Sequence, residues 1–448
     1  VFRIAITFLV ALVIVVPGTE TLAQRVLTVD EAVTLGLQND ETFLIAKEDL
    51  ERAAGQIREA WAGALPKLSF DARYTRAIEI PERIISLPED MGGTQKFKMG
   101  TNHDYAFGLT LTQPLYVGGK VGAALKIAKY YRQMSEARLK QAENDVVYEI
   151  KSAFFHARLA EDVVGVYQDA VNQADLNLAN ARKLFDQGMA AEFDVLRAEV
   201  ELANLKPQLI KAQNDVILAG INLKNRLGIS PEETLELSFE FDGSELDRSL
   251  ALDSGLDEAR DHHPAVLQLD FATKGYQKAI SIARGDLLPQ LSASSEFTLG
   301  NATDRFSPDD KGWTRDWSAS LLLSMPIFDG RAASGRIKQA KADYNQSRLT
   351  LQQTKENVQL AVRSAHASWQ QALSSLQSQE KTVTQAEEGL RIANLRYQNG
   401  VGTQLEVLAA QTAVTQAKVN YINAIYDYEL SVAEFERATG ADLRSSGE

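Results

Sequence analysis

Asp186-Gln-Gly-Met-Ala-Ala-Glu-Phe-Asp-Val-Leu-Arg-Ala198 recurs, 212 residues further on, as Gln398-Asn-Gly-Val-Gly-Thr-Gln-Leu-Glu-Val-Leu-Ala-Ala410. The same offset holds without a gap from Pro114–Gly228 to Pro326–Gly440, through pairs such as Lys126/Lys338, Val146/Val358, Lys206/Lys418 and Gly228/Gly440. Upstream the offset is 223, where Leu65-Pro-Lys-Leu-Ser69 lies over Leu288-Pro-Gln-Leu-Ser292, so the first copy carries 11 extra residues between its two prolines. The chain is two copies of one structural unit, and the unit decides the fold.

On either side of each glycine tip the pattern is helical. Between Pro114 and Pro207 lie 92 residues without proline, and none follows Pro326. Ile337, Ala340, Tyr344, Ser347, Leu351, Val358, Ala361 and Ala365 keep a heptad spacing, which Trp369, Leu376, Val383, Leu390 and Tyr397 continue one residue out of phase. That is a coiled-coil seam. Helices over 119–186 and 331–398 would each be roughly 100 Å long at 1.5 Å per residue. The return helices (191–227 and 403–439) and the helices ahead of the first strands (31–62 and 256–286) together match one long helix in length. Each long helix is therefore expected beside two shorter ones stacked end to end, with Gly188 or Gly400 at one extreme. Where the short helices meet, a waist is needed. Residues 229–258, with ten acidic side chains against Arg248 alone, supply an irregular connector whose charge reads as a solvated surface.

At the opposite extreme the period changes to two. Leu68, Phe70, Ala72 and Tyr74 alternate with polar residues, as do Tyr105, Phe107, Leu109 and Leu111; Leu291, Ala293, Ser295, Phe297 and Leu299; and Trp317, Ala319, Leu321 and Leu323. Four strands of ~10 residues follow, the length a tilted bilayer-spanning strand needs. Tyr74, Tyr105, Tyr116, Trp313, Trp317 and Phe328 sit toward their ends and are candidate membrane-interface aromatics. Taken alone, the pattern fits a pair of soluble hairpins equally well. If the strands face lipid, four cannot close a barrel, since the smallest closures need about eight. Lipid tolerates no open edge, so copies would have to share one barrel.

Composition narrows the class. The chain has 47 Lys+Arg against 60 Asp+Glu, a net charge of −13, and no cysteine. Nucleic acid is excluded as a natural partner, because its affinity rests on clustered cations. Disulfide scaffolds, thiolate metal sites and cysteine nucleophiles are excluded outright. Residues 1–23 read as a secretory signal: Arg3, an apolar run from Ile4 to Val16, the Pro17-Gly18 break, and small residues at Thr21 and Ala23, with cleavage expected after Ala23. The run is shorter than the ~20 residues of a spanning helix. The expected organisation is signal 1–23, first repeat 24–228 with a strand hairpin over 66–116, acidic connector 229–255, second repeat 256–440 with a hairpin over 289–328, and a tail over 441–448.

Enzyme readings fail on spacing. His103, His156, His262, His263 and His366 have no metal-ligand spacing, and His262-His263-Pro264 reads as a helix entry. Gly118-Gly119-Lys120 is no phosphate loop, because Pro114 stands where the first glycine belongs; it is a strand-to-helix turn mirrored by Asp329-Gly330-Arg331. No cofactor motif is present.

The tandem tips Leu184-Phe-Asp-Gln-Gly…Phe-Asp-Val-Leu and Arg396-Tyr-Gln-Asn-Gly…Leu-Glu-Val-Leu-Ala-Ala-Gln, with the turns Thr112-Gln-Pro-Leu-Tyr-Val-Gly-Gly-Lys and Ser324-Met-Pro-Ile-Phe-Asp-Gly-Arg, give a resemblance over nearly all of the chain after the signal. It resembles the TolC-like outer-membrane efflux proteins. The resemblance implies a mainly α protein with a transmembrane β-barrel. In it, a homotrimer forms one twelve-stranded barrel in the outer membrane, continued by an α-helical barrel across the periplasm. It implies a passive exit duct, not an enzyme, docking by its tips onto a periplasmic adaptor that leads to an inner-membrane pump or ABC transporter. The alternative left open is a secreted coiled-coil structural or adaptor protein, although an adaptor is expected to carry one helical hairpin where this chain has two.

Matching the tip motif places Asp194 six residues after Gly188 and Glu406 six after Gly400. The resemblance implies that these two form acidic rings at a narrow periplasmic gate, where like charges favour cations. It also implies that Tyr397 ties the second hairpin to Asp194, a role Phe185 in the first copy has no hydroxyl for. Gly188, Met189, Gly400 and Val401 would be the tip residues offered to the adaptor. The chain departs from some members at Gly402, where they carry a bracing arginine, and at Ala409, where they add a second acidic residue. One acidic ring and fewer braces are expected. A plainer role for Asp194 and Glu406 is to begin the return helix, where a carboxylate suits the helix dipole.

Overall fold

The computed structural model describes residues 25–86, 90, 93–241, 250–308 and 312–441. The signal read at 1–23, residues 242–249 of the connector and the tail from 442 lie outside the described residues. Among the described residues no helix is long and apolar enough to cross a membrane.

Each copy repeats one order of elements. The first runs β1 (Arg25–Leu27), α1 (Val29–Asn39), α2 (Glu41–Ala62), β2 (Lys67–Arg76), β3 (Glu82–Ser86), β4 (Thr94–Lys98), β5 (His103–Val117), α3 (Lys120–Asp186) and α4 (Glu192–Leu227). After β6 (Leu235–Leu237) the second runs α5 (Leu252–His262), α6 (Pro264–Gly285), β7 (Gln290–Thr303), β8 (Trp313–Ser324), α7 (Ala332–Gln398) and α8 (Gln404–Thr439).

The stretches read as single helices over 31–62 and 256–286 are each two. Asp40 stops the first: it adopts an extended conformation and its carboxylate caps α2 by accepting from Phe43 N at 3.0 Å. His263 stops the second, its ring Nδ1 accepting from Ala265 N at 3.1 Å with Pro264 at the first helical position.

The helices form one layer. α3 packs against α2 and α4 on one flank and α6 and α8 on the other, and α6 and α8 also pack on α7. α7 thus lies beside one pair of shorter helices, α6 and α8, whereas α3 has such a pair on each flank. The strongest core is at the waist, where Leu27, Val33, Val147, Ile150, Phe154, Leu223, Leu227 and Tyr426 bring together β1, α1, the middle of α3, and α4 and α8. There β1 pairs in parallel with β6, tying the segment before α1 to the connector. In α7 the seam passes through Val358, Val362, Ala365, Trp369, Ala372 and Leu376, with Ala361 exposed. The phase change read after Ala365 falls earlier because Val362 packs with Phe435 and Ala259 of the second waist cluster.

The hairpin strands build one antiparallel sheet in the order β2-β5-β7-β8. Four further strands, beyond the four read from alternation, are short: β1 and β6 at the waist, and a β3–β4 hairpin within the surplus residues of the first copy. Cross-strand register decides what the sheet presents, because directly paired residues point to the same face. Phe70, Leu109, Phe297 and Trp317 form one row, and Tyr74, Tyr105, Asn301 and Trp313 another. One face is apolar across all four strands and the other polar. Among the described residues the edge strands β2 and β8 each have one partner only, and Trp317 and Leu321 on β8 are 80% and 71% exposed. Trp317 lies toward mid-strand, not at an end, with its indole N–H donated to Ser295 Oγ at 3.0 Å.

Candidate functional site: the paired helical tips

The far end from the sheet is built by two chain reversals. Gly188 and Gly400 adopt left-handed φ values of 69° and 72°, the conformation a helix end needs to turn its chain back. Met189 N and Val401 N then satisfy the terminal carbonyls of Leu184 and Arg396 at 2.8 and 3.0 Å. Met189 and Val401 themselves stand out, 67% and 69% exposed.

The two reversals lie against each other. Asn177 donates to Gln411 Oε1 at 2.6 Å across α3 and α8, and Thr412 donates to Glu201 at 3.4 Å. Between them is a cavity of about 900 Å³ whose lining includes Asn180, Lys183, Asp194, Asn394, Tyr397 and Gln404. The structure thus brings Asp194 and Tyr397, from different copies, to one space. Burial raises the pKa of the Tyr397 hydroxyl, and the charge of Asp194 raises it further.

Asp194 and Glu406 both occupy the third position of a return helix. The Asp194 carboxylate accepts from Ala191 N at 3.3 Å, and Glu406 N donates to the Thr403 side chain at 3.3 Å. Both open the helix as the dipole argument requires, in addition to any wider role. Glu406 is not alone: Arg396 Nε lies 3.6 Å from its Oε2, and the same guanidinium donates to Val401 O at 3.4 Å. Arg396 belongs to the tip motif, which implies no role for it. The signal was nevertheless there, since a hairpin brings a base in the last turn of one helix beside an acid in the first turn of the next.

Gly402 also has a structural reason. A Cβ there would meet Arg396 Cβ at 2.9 Å and the Tyr397 backbone nitrogen at 3.0 Å. Its own N–H donates to Arg396 O at 3.0 Å, so the reversal folds back too tightly for a side chain. A side chain is thus excluded at 402, and the basic group at this reversal comes from Arg396 of the preceding helix.

At the sheet end, Tyr74, Tyr105 and Trp313 share a row near the strand termini that lead into the loops. Tyr116 follows a register shift in β5, and Phe328 lies beyond β8 in the turn to α7, 83% exposed.

A single-layer wall of long paired helices, ending in an open-edged sheet with one apolar face, is the architecture of an outer-membrane efflux channel chain. The chain belongs to the outer membrane efflux protein family, whose sequence profile matches residues 33–229 and 255–441. It is 22% identical over 403 residues to outer membrane protein TolC of Escherichia coli, covering 88% of this chain and 78% of that one. It is 24% identical to protein CyaE of Bordetella pertussis, covering 88% and 81%. The crystal structure of the Campylobacter jejuni CmeC outer membrane channel superposes with a TM-score of 0.77 at 20% identity, covering 92% of this chain and 85% of that one. The protein is an outer-membrane channel component of the efflux and type I secretion class.

Proposed function

We propose that three copies assemble into one duct, with a twelve-stranded barrel in the outer membrane and a helical barrel reaching through the periplasm. The observation that carries this is the sheet. It is apolar on one face throughout and has two open edges, β2 and β8, which run antiparallel and so allow the next copy to continue it. The free flank of α4 supports the same assembly, because Phe193, Leu196, Val200, Ile210, Ile217 and Ile221 leave an apolar stripe exposed at near-heptad spacing. A stripe of that length calls for a neighbouring helix, and α7 of the next copy is free to supply it.

The tips form the periplasmic entrance in this reading. Asp194 and Glu406, repeated threefold, line it with carboxylates; Tyr397 holds the second reversal to the first copy through Asp194; Arg396 moderates the charge of Glu406. Met189 and Val401, beside Gly188 and Gly400, are the apolar contacts for a periplasmic adaptor, and an inner-membrane pump or ABC transporter supplies the energy. The duct conducts passively.

Single-channel conductance of detergent-extracted protein in a planar bilayer tests this, beside the double variant Asp194→Asn, Glu406→Gln. A small cation-selective current that loses its selectivity in the variant is expected. A water-soluble monomer that needs no detergent would overturn the duct, and selectivity unchanged by the variant would overturn the acidic entrance.

A further inference from the structure

The apolar face of the sheet carries two formal charges, and both are arginines. Alternation and register put Leu68, Phe70, Ala72, Tyr74 and Arg76 of β2 on the same face as Trp313, Arg315, Trp317, Ala319, Leu321 and Leu323 of β8. The opposite face holds Asp71, Asp104, Glu296 and Asp316 beside Lys67 and Arg73, so acids are not lacking from the sheet; they are confined to the other side. Arg76 and Arg315 are exposed, and neither has a carboxylate partner among the described residues.

Their level is as informative as their face. Arg76 is one row outside, and Arg315 one row inside, the row of Tyr74, Tyr105, Asn301 and Trp313. A lipid-facing arginine is costly at the bilayer centre and cheap at the interface. Aromatic residues mark the interface. This interface lies at the loop end of the sheet, remote from the helices, and therefore at the outer leaflet.

The two arginines also stand on the two edge strands. In the shared barrel, which this inference takes from the reading above, β8 of one copy lies beside β2 of the next. If the aromatic row continues across that junction, Arg315 and Arg76 of the neighbouring copy are four residues apart along the strand direction, about 13 Å. We infer that each junction between copies binds the phosphorylated disaccharide headgroup of an outer-leaflet glycolipid, with Arg76 on one phosphate and Arg315 of the adjacent copy on the other. Guanidinium forks match phosphate geometry, and Tyr74 and Trp313 between them offer faces to the sugar. The assembled duct would hold three such sites, each incomplete without a neighbour.

Native mass spectrometry of the detergent-solubilised protein, titrated with diphosphorylated lipid A and separately with its enzymatically dephosphorylated form, tests this. The expected result is a trimer that binds the diphosphorylated lipid about tenfold more tightly than the dephosphorylated one. That preference is lost in Arg76→Gln, Arg315→Gln and kept in Arg73→Gln, which removes the same charge from the opposite face. Equal binding of the two lipids by wild type would overturn the inference, as would an unchanged preference in the double variant or an equal loss in Arg73→Gln. If the double variant does not assemble, the two-lipid comparison on wild type decides alone. The same spectra separate this from the barrel: a trimer without lipid preference sinks the site and leaves the duct, whereas a monomer sinks the duct.

Discussion

Gly118 and Gly285 touch backbone to backbone. A Cβ on Gly118 would lie 2.4 Å from the carbonyl oxygen of Gly285, and one on Gly285 would lie 2.7 Å from that of Gly118. The contact joins the end of α6, from the second copy, to the β5–α3 turn of the first. Lys120 and Arg336 both reach Asp286 beside it, at 2.5 and 2.8 Å, and hold its carboxyl below its ordinary pKa. The junction between sheet and helices thus brings the two copies into direct backbone contact.

Replacing Gly118 by alanine should cost about 1–3 kcal/mol, because it adds a clash with fixed backbone to a left-handed φ of 64°. Gly119 has a φ of 74° but open space around it, so Gly119→Ala should cost only the ~1–2 kcal/mol of the left-handed conformation. Heat-modifiable gel migration of the two variants ranks them. Equal stability would show that the close approach relaxes freely.

His263 makes the waist sensitive to acid. Burial lowers its pKa; Asp145 opposes that and Arg437 reinforces it, and Glu434 lines the same cavity. Protonation therefore costs more in the folded chain than in the unfolded one. Stability should be whole above about pH 6.5, the unfolded value, and be lost as the pH falls from there through the depressed pKa. His263→Asn keeps a capping acceptor but cannot take up the charge, so its melting temperature should vary less between pH 7.5 and pH 5. Parallel pH curves for the two proteins would assign the sensitivity elsewhere.

Removing Arg396 should strengthen the cation preference of the channel by leaving Glu406 without its counter-ion. Both side chains are about half exposed, so the pair contributes only ~0.2–1 kcal/mol to the tip itself. The Arg396→Ala effect should be clear in dilute salt and fade at about 1 M, where the Debye length is ~3 Å. A preference that falls in this variant would place Glu406 away from the ion path.

Ile217 is 60% exposed toward the C-terminal end of the α4 stripe. Ile217→Glu should leave the helical signal in circular dichroism intact while blocking trimer formation in detergent. An unaffected trimer would mean that the stripe faces solvent in the assembly.

Much of this was legible from local pattern. The 3.5-residue seam, the two-residue alternation and the glycines at the tips are properties of neighbours in sequence, the 212-residue offset is one of the chain compared with itself, and together they are enough to give the elements and their order. The break at Asp40 is invisible to apolar spacing, which runs on across it while a side chain accepting from the backbone ends the helix; the one at His263 coincides with the helix entry that His262-His263-Pro264 signals. The β3–β4 hairpin was missed as structure, though the surplus residues that hold it were counted. At the tip, Asp194, Tyr397 and Glu406 came from a motif, whereas Arg396 carries no motif role and shows itself only through the geometry of the reversal.

The sequence by itself determined the duplication and the acidic balance, which are read from residue identities alone, and the long helices and alternating strands, whose periodicity depends on residues a few positions apart. Only the tertiary structure decided the rest: α6 and α8 standing between α3 and α7, the register that gathers every apolar strand face onto one side, the Gly118–Gly285 contact and the placing of Asp194 and Tyr397 around one cavity. These relations join residues as far as 264 positions apart. They are settled by the summed packing of whole helix faces and sheet edges, which no local pattern records.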